Sequence, residues 1–180
     1  MICSRKSYAQ NSNQKEIPMF GNPFVEKLRQ FFFEAMERGW AAGSEKIAIP
    51  QLSGYKAIEY ADGHLHLVDC WCKNQESNAS SGFTTIYWKG HPVWTMQYSG
   101  RYMPMQKVTD FLKSTILKSY KEKRFYGGRG QWSLSSAGLI YINTVESNDF
   151  EKFSGRETIH DTETGQLYGH HCYSGMALFI

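Results

Sequence analysis

Residues Tyr55–Trp71 read YKAIEYADGHLHLVDCW, two apolar-rich runs on either side of Asp62-Gly63. Their period is near two, the spacing of a strand, and Asp-Gly between such runs marks a tight hairpin. A second hairpin follows a polar loop (Lys73 to Ser81): Phe83 to Trp88 and Val93 to Tyr98 flank Lys89-Gly90. Upstream the period lengthens. Phe24, Leu28, Phe31, Phe32 and Ala35 fall on one helical face, Asn22-Pro23 suits a helix start and Gly39 a stop, so a helix is predicted over about 23–38.

The same order then recurs. Pro104 opens a second helix, with Val108, Phe111, Leu112, Thr115 and Ile116 as its apolar face, running out at Lys121 to Arg124. Gln131 to Ser135 and Leu139 to Val145 flank Ala137-Gly138, and Glu157 to Asp161 and Leu167 to Tyr173 flank Gly165. Gly63, Gly90 and Gly100 return as Gly138, Gly165 and Gly175, each 75 residues later (138 − 63), and Tyr98-Ser99-Gly100 returns as Tyr173-Ser174-Gly175. Matched glycines carry weight because turns need backbone conformations that other residues resist. The predicted fold is α+β, with two similar halves (about 22–102 and 103–180). Each is one helix followed by a four-stranded antiparallel meander, with the helices packed on sheet. The halves join edge to edge or face each other around a cavity. Residues 1–21, rich in Asn, Gln, Ser and Lys, read as a flexible tail.

Composition narrows the class. The chain has 180 residues, 41% hydrophobic and 21% charged, which is enough for a real core and argues against wholesale disorder. Aromatic residues at 15% suit a sheet with bulky cross-strand packing. A net charge of +3 does not demand nucleic acid as a partner. No apolar stretch reaches a membrane span and no secretory signal opens the chain, so four cysteines imply reduced thiols in a cytoplasm rather than a disulfide framework.

Tyr87-Trp88-Lys89-Gly90-His91-Pro92-Val93-Trp94-Thr95-Met96-Gln97-Tyr98-Ser99-Gly100 resembles a strand-turn-strand motif of an uncharacterised bacterial family. The closing segment, from Phe153-Ser154-Gly155-Arg156-Glu157-Thr158-Ile159 through Leu167-Tyr168 to Tyr173-Ser174-Gly175, resembles it too. That family is a domain of unknown function often found behind a helix-turn-helix domain of the XRE regulator type. The resemblance spans roughly residues 24–180, and its motifs are structural, so it implies no catalytic residues. It implies a ligand-sensing role beside a regulator. The first 20 residues here are too few and too polar for a helix-turn-helix, so this copy reads as stand-alone.

Four constellations have chemistry to offer. His64, His66, Cys70 and Cys72 share one face of a strand, with ligand types that zinc prefers, and His170 and His171 lie at the equivalent point of the last hairpin. Alternate positions on a straight strand stand about 7 Å apart, so adjacent pairs chelate but all four need a bend. The competing account has Leu65, Leu67 and Trp71 facing the core and the histidines half exposed. A nucleophilic or acid–base enzyme would draw on His66 or His171 with Asp69 and a cysteine, without a nucleophile elbow to mark it. Lys118, Lys121, Lys123 and Arg124, with Tyr120, Phe125, Tyr126 and Trp132 nearby, would hold nucleic acid by charge and stacking. Lysines on the outer face of a helix account for them equally well.

The leading expectation is a non-catalytic binding module, a small-molecule sensor or an interaction domain. Trp94, Tyr98, His66, Gln97, Asn143, His171 and Tyr173 are the candidate ligand contacts, aromatic walls with a few polar groups. The Gly127-Gly128-Arg129-Gly130 run lacks the ending of a phosphate loop and reads as a connector, so no cofactor is implied. Unpaired strand edges would permit a homodimer.

Overall fold

The computed structural model describes residues 22–179, and the expected tail, residues 1–21, lies outside them. The first helix, α1 (Asn22–Glu37), opens at the Asn-Pro pair and buries Leu28, Phe31, Phe32, Ala35 and Met36. Past it the chain makes a single 3-10 turn at Trp40–Ala42, closed by Gly43 at φ 84° with its N–H on the Trp40 carbonyl. The connection to the first hairpin holds this turn and a two-residue strand, β1 (Ile47–Ala48).

Strands β2 (Tyr55–Asp62), β3 (Leu65–Lys73), β4 (Ala79–Trp88) and β5 (His91–Tyr102) form an antiparallel meander. Helix α2 (Gln106–Lys121) follows and buries Val108, Phe111, Leu112, Thr115, Ile116, Ser119 and Tyr120. Its start has no side-chain cap, and Lys118 and Lys121 in its last turn suit the negative end of the helix dipole. A second meander is built from β6 (Ser133–Ser136), β7 (Leu139–Asp149), β8 (Lys152–Asp161) and β9 (Leu167–Ala177).

The two meanders meet through β5 and β9, giving one nine-stranded antiparallel sheet of order β1-β2-β3-β4-β5-β9-β8-β7-β6. At that seam Tyr98 pairs with Tyr173, and Trp94 with Ala177. Both helices pack against the same face. Phe32 of α1 shows how: its ring lies 5.2 Å from Trp94 in the sheet, 5.9 Å from Tyr120 of α2 and 6.1 Å from Phe150. Truncating such a fully buried ring to alanine costs about 3–5 kcal/mol, so this junction carries much of the hold between layers. The described residues therefore form an α+β fold, two helices on a nine-stranded antiparallel sheet, and none of their helices is long and apolar enough to cross a membrane.

The strands run longer than the sequence suggests. Gly63, Gly90, Gly138 and Gly165 do sit in turns at positive φ. Gly82, Gly155 and Gly175 do not; they lie inside β4, β8 and β9, each beneath an aromatic ring.

Candidate functional site

Alternation along β3 sends Leu65, Leu67, Asp69, Trp71 and Lys73 to the helix side of the sheet and His66, Val68, Cys70 and Cys72 to the other. Asp69 is thus a carboxylate between Leu67 and Trp71 on that face, 6% exposed. Two hydroxyls satisfy one of its oxygens: Thr84 Oγ1 donates to Oδ1 at 2.8 Å and Tyr98 Oη at 3.0 Å. Tyr98 reaches it by lying flat across Gly82, where an added Cβ would stand 2.5 Å from the ring. Burial pushes the Asp69 carboxyl above its ordinary range, and the two hydroxyl bonds and the charge of Arg129 only partly oppose that.

Arg129 arrives from the connector after α2. Its guanidinium sits 5.3 Å from the Tyr98 ring and bonds Glu157 on β8 through Nε at 3.1 Å and through Nη2. Glu157 is fully buried; Tyr141 Oη donates to its Oε2 at 2.7 Å, and His171 Nδ1 stands 3.5 Å from its Oε1. Burial alone would raise this carboxyl. The charge of Arg129 and its hydrogen bonds, with His171 close by, outweigh burial and hold it well below the usual carboxylate range. His171 is pushed the other way: burial lowers it, more than the neighbouring Glu157 carboxylate raises it, so the ring is neutral near pH 7. Its other nitrogen, Nε2, is 3.0 Å from Ser80 Oγ.

These groups floor a cavity of about 150 Å³ between sheet and helices. Its polar side is Asp69, Lys73, Ser80, Tyr98, Arg129 and His171. Its apolar side comes from Met36, Trp40, Ala41, Trp71, Leu112 and Ile116. A space of this size elsewhere holds a molecule the size of benzene.

Of the seven ligand contacts expected from sequence, the cavity brings together Tyr98 and His171. Asn143 and Tyr173 bond each other beside it: Tyr173 lies across Gly155 and donates to Asn143 Oδ1 at 2.7 Å, while Asn143 Nδ2 donates to the carbonyls of Tyr126 and Gly130. Trp94 lies in the core instead, its Nε1 bonded to the Phe150 carbonyl at 2.9 Å. His66 and Gln97 point to the sheet face away from the helices, His66 beside Glu59 at 3.4 Å and Gln97 in a shallow groove with Phe83 and Ser174. Arg129, Glu157 and Ser80 were not in the expected set. Glu157 left a trace in the sequence: it shares a strand face with Phe153 and Ile159, where a charge is out of place unless paired.

The other constellations fare differently. His64 lies in the hairpin turn and is exposed, while Cys70 is buried with its thiol pushed up by burial and by the charges of Asp69 and Cys72, which disfavours a thiolate ligand. Among the described residues no group of three or more His, Cys, Asp or Glu side chains is placed to hold a metal. Lys118, Lys121, Lys123 and Arg124 are exposed, with Arg124 3.9 Å from Glu122. Tyr120 and Phe125, expected to stack bases, are instead buried in the core.

No curated protein and no solved structure matches the chain. A family model does, over residues 76–177, a span that takes in Ser80, Tyr98, Arg129, Glu157 and His171 and leaves out Asp69 and α1. On that match, which covers more than half its length, the chain belongs to the DUF5680 family, a domain of unknown function.

Proposed function

We propose that the protein is a binding module for a small molecule seated between the helices and the sheet, with its apolar body under Trp40, Leu112 and Ile116 and one polar end on the Asp69 side. The observation that carries this reading is the pairing of an apolar roof with a buried carboxylate on the floor. Asp69 Oδ1 takes both hydroxyl bonds, and Arg129 acts on the carboxylate through charge alone. Burying a carboxylate costs stability unless it is paired, so an acid kept at a cavity wall fits a binding role better than a packing role.

The two meanders read as copies of one unit. The 75-residue spacing of turn glycines, the similar φ at Gly63 and Gly138 (57° and 75°), and two tyrosines lying across two glycines support that reading. Under it, the cavity marks where one copy kept an opening that the other filled.

Native mass spectrometry of the full chain, purified without added ligand, is expected to show a non-covalent mass of organic size. Titration with benzyl alcohol, phenol and benzylamine should change the emission of Trp40 and Trp71, which line the cavity. Ala41→Phe, which puts a ring into the space, should abolish both signals. No bound mass and no response to any of the three probes would remove the proposed site.

A further inference from the structure

Ser80, Gly100, His171 and Glu157 are register neighbours on four adjacent strands, β4, β5, β9 and β8, all on the cavity side of the sheet. Adjacent strands stand about 4.8 Å apart, so Ser80 and His171 are two strands from each other and meet only if nothing stands between them. Glycine at position 100 leaves that gap open: a Cβ there would lie 2.7 Å from His171 Cδ2. Across it Ser80 Oγ and His171 Nε2 come to 3.0 Å, and on the far side of the ring Nδ1 faces Glu157 Oε1 at 3.5 Å.

A hydroxyl on one nitrogen of an imidazole, with a carboxylate on the other, is the arrangement that activates a serine nucleophile. We propose that the cavity is a hydrolytic site for small carboxylic esters, with Ser80 as nucleophile, His171 as general base and Glu157 as the positioning residue that fixes the imidazole tautomer. The proposal rests on the binding reading, since the ester must enter the same cavity. Ser80 Oγ forms a bond to the carbonyl carbon as its proton passes to His171 Nε2. The electron pair of the C=O moves to oxygen, then returns to expel the alcohol, which takes the proton from Nε2. Water attacks the acyl-serine by the same route, giving its proton to Nε2, and the carboxylic acid leaves with Ser80 restored. Lys73, the register partner of Ser80 on the same face, and Arg129 supply positive charge at the cavity wall for the transient oxyanion.

The titratable groups facing His171 are Glu157 on β8, Asp69 and Lys73 on β3, Tyr98 and Tyr102 on β5, Arg129 on the connector and Tyr120 on α2. His171 is neutral near pH 7, as a base requires, and activity should fall as acid protonates it.

The experiment is hydrolysis of para-nitrophenyl acetate by the full chain, with the acyl-enzyme trapped in acid and located by peptide mass spectrometry. Acetyl on Ser80 is expected, with turnover lost in Ser80→Ala and reduced about 100-fold or more in His171→Asn. In Glu157→Gln, checked as folded by circular dichroism, the acid limb of the pH profile should move to lower pH because His171 loses a neighbouring anion, and acylation above that limb should also slow, with Glu157→Asp restoring part of it; a merely structural Glu157 would leave that plateau rate in place. Turnover unchanged in Ser80→Ala, or acetyl on another residue only, overturns the proposal. If Ser80→Ala and the parent chain both bind benzyl alcohol and neither turns over ester, the binding reading stands and the hydrolytic one falls. If neither binds, both fall.

Discussion

Two rows of side chains cross the sheet on either side of the Tyr98–Tyr173 pair, and their registers correspond strand for strand. One runs Asp69, Thr84, Met96, Gly175, Phe153; the other runs Asn143, Glu157, His171, Gly100, Ser80. In the first, Phe153 lies over Gly175, and Met96 and Thr84 fill the interior. In the second, the ring over the glycine is an imidazole, Thr84 gives way to Glu157, and Phe153 to a half-exposed serine at a cavity. The acid and amide are exchanged as well. Tyr173 donates to an amide whose two N–H groups close on loop carbonyls, whereas Tyr98 donates to a carboxylate that lines the cavity. The same backbone therefore supports a filled row and a charged one, which holds Glu157 and ends at the cavity, and the difference lies in four side chains, the glycine being common to both, rather than in topology.

The largest effect expected is on the charged row. Arg129→Met leaves Glu157 buried without its cation, which should cost about 3–5 kcal/mol in urea unfolding, and Arg129→Met with Glu157→Gln should recover much of that. Because the folded Glu157 is held below its unfolded value, the pair's stabilisation is present above about pH 4.3 and is lost as pH falls through the folded pKa. A single mutant as stable as the parent would mean that Arg129 is not what keeps Glu157 ionised. Next comes Asn143→Asp. It sets a carboxylate against the Tyr126 and Gly130 carbonyls that Nδ2 now bonds, and about 3 kcal/mol should be lost at pH 7. A loss that acid largely reverses would point to charge, rather than shape, as the cause, the protonated carboxyl keeping one donor for the two carbonyls.

The two glycines under the tyrosines sharpen the contrast between packed and open sides. An added Cβ would stand 2.4 Å from Tyr173 at Gly155 and 2.5 Å from Tyr98 at Gly82. Tyr173 is wedged from its other side as well, since a Cβ at Gly127 would also come within 2.4 Å of its ring, while Tyr98 borders the cavity and can tilt into it. Overpacking of this kind costs about 1–3 kcal/mol, so Gly155→Ala should lie near the top of that range and Gly82→Ala near the bottom. Equal losses in thermal unfolding would show that the cavity gives Tyr98 no room.

How much of this was legible beforehand depended on what each residue was needed for. Asp62-Gly63 and Ala137-Gly138 announced their hairpins because a tight turn requires positive φ, a local demand that leaves a local mark. Gly82 and Gly155 are in strands for a reason that is not local: a ring from a neighbouring strand needs the space, so the runs of serine and glycine around them looked like loop and the strands looked short. Trp94 and Tyr98 share one face of β5, and no alternation rule tells which is covered. Phe32 of α1 settles it by covering Trp94. Arg129 sat in what read as a glycine connector. Its value comes from a carboxylate 28 residues later, a pairing that only the register of β8 and β9 brings about.

The smallest effect is the most direct test of the exchange between halves. Asp69→Asn copies the residue that stands at the corresponding position, and an Asn Oδ1 can still accept from Thr84 and Tyr98 as Asn143 Oδ1 accepts from Tyr173. Burial raises the folded pKa of Asp69 above its unfolded value, so its contribution is fully present below the unfolded pKa, about 3.9, and is lost as pH rises through the folded one. Relative to the parent, Asp69→Asn should therefore gain stability as pH rises through the folded pKa and keep that gain at pH 7. If the advantage is the same at pH 3 and pH 7, the carboxylate is not strained by burial, and its place at the cavity wall needs no ligand to explain it. If it grows with pH while binding of benzylamine is lost, the charge has been kept at a cost in stability for the sake of the ligand it holds.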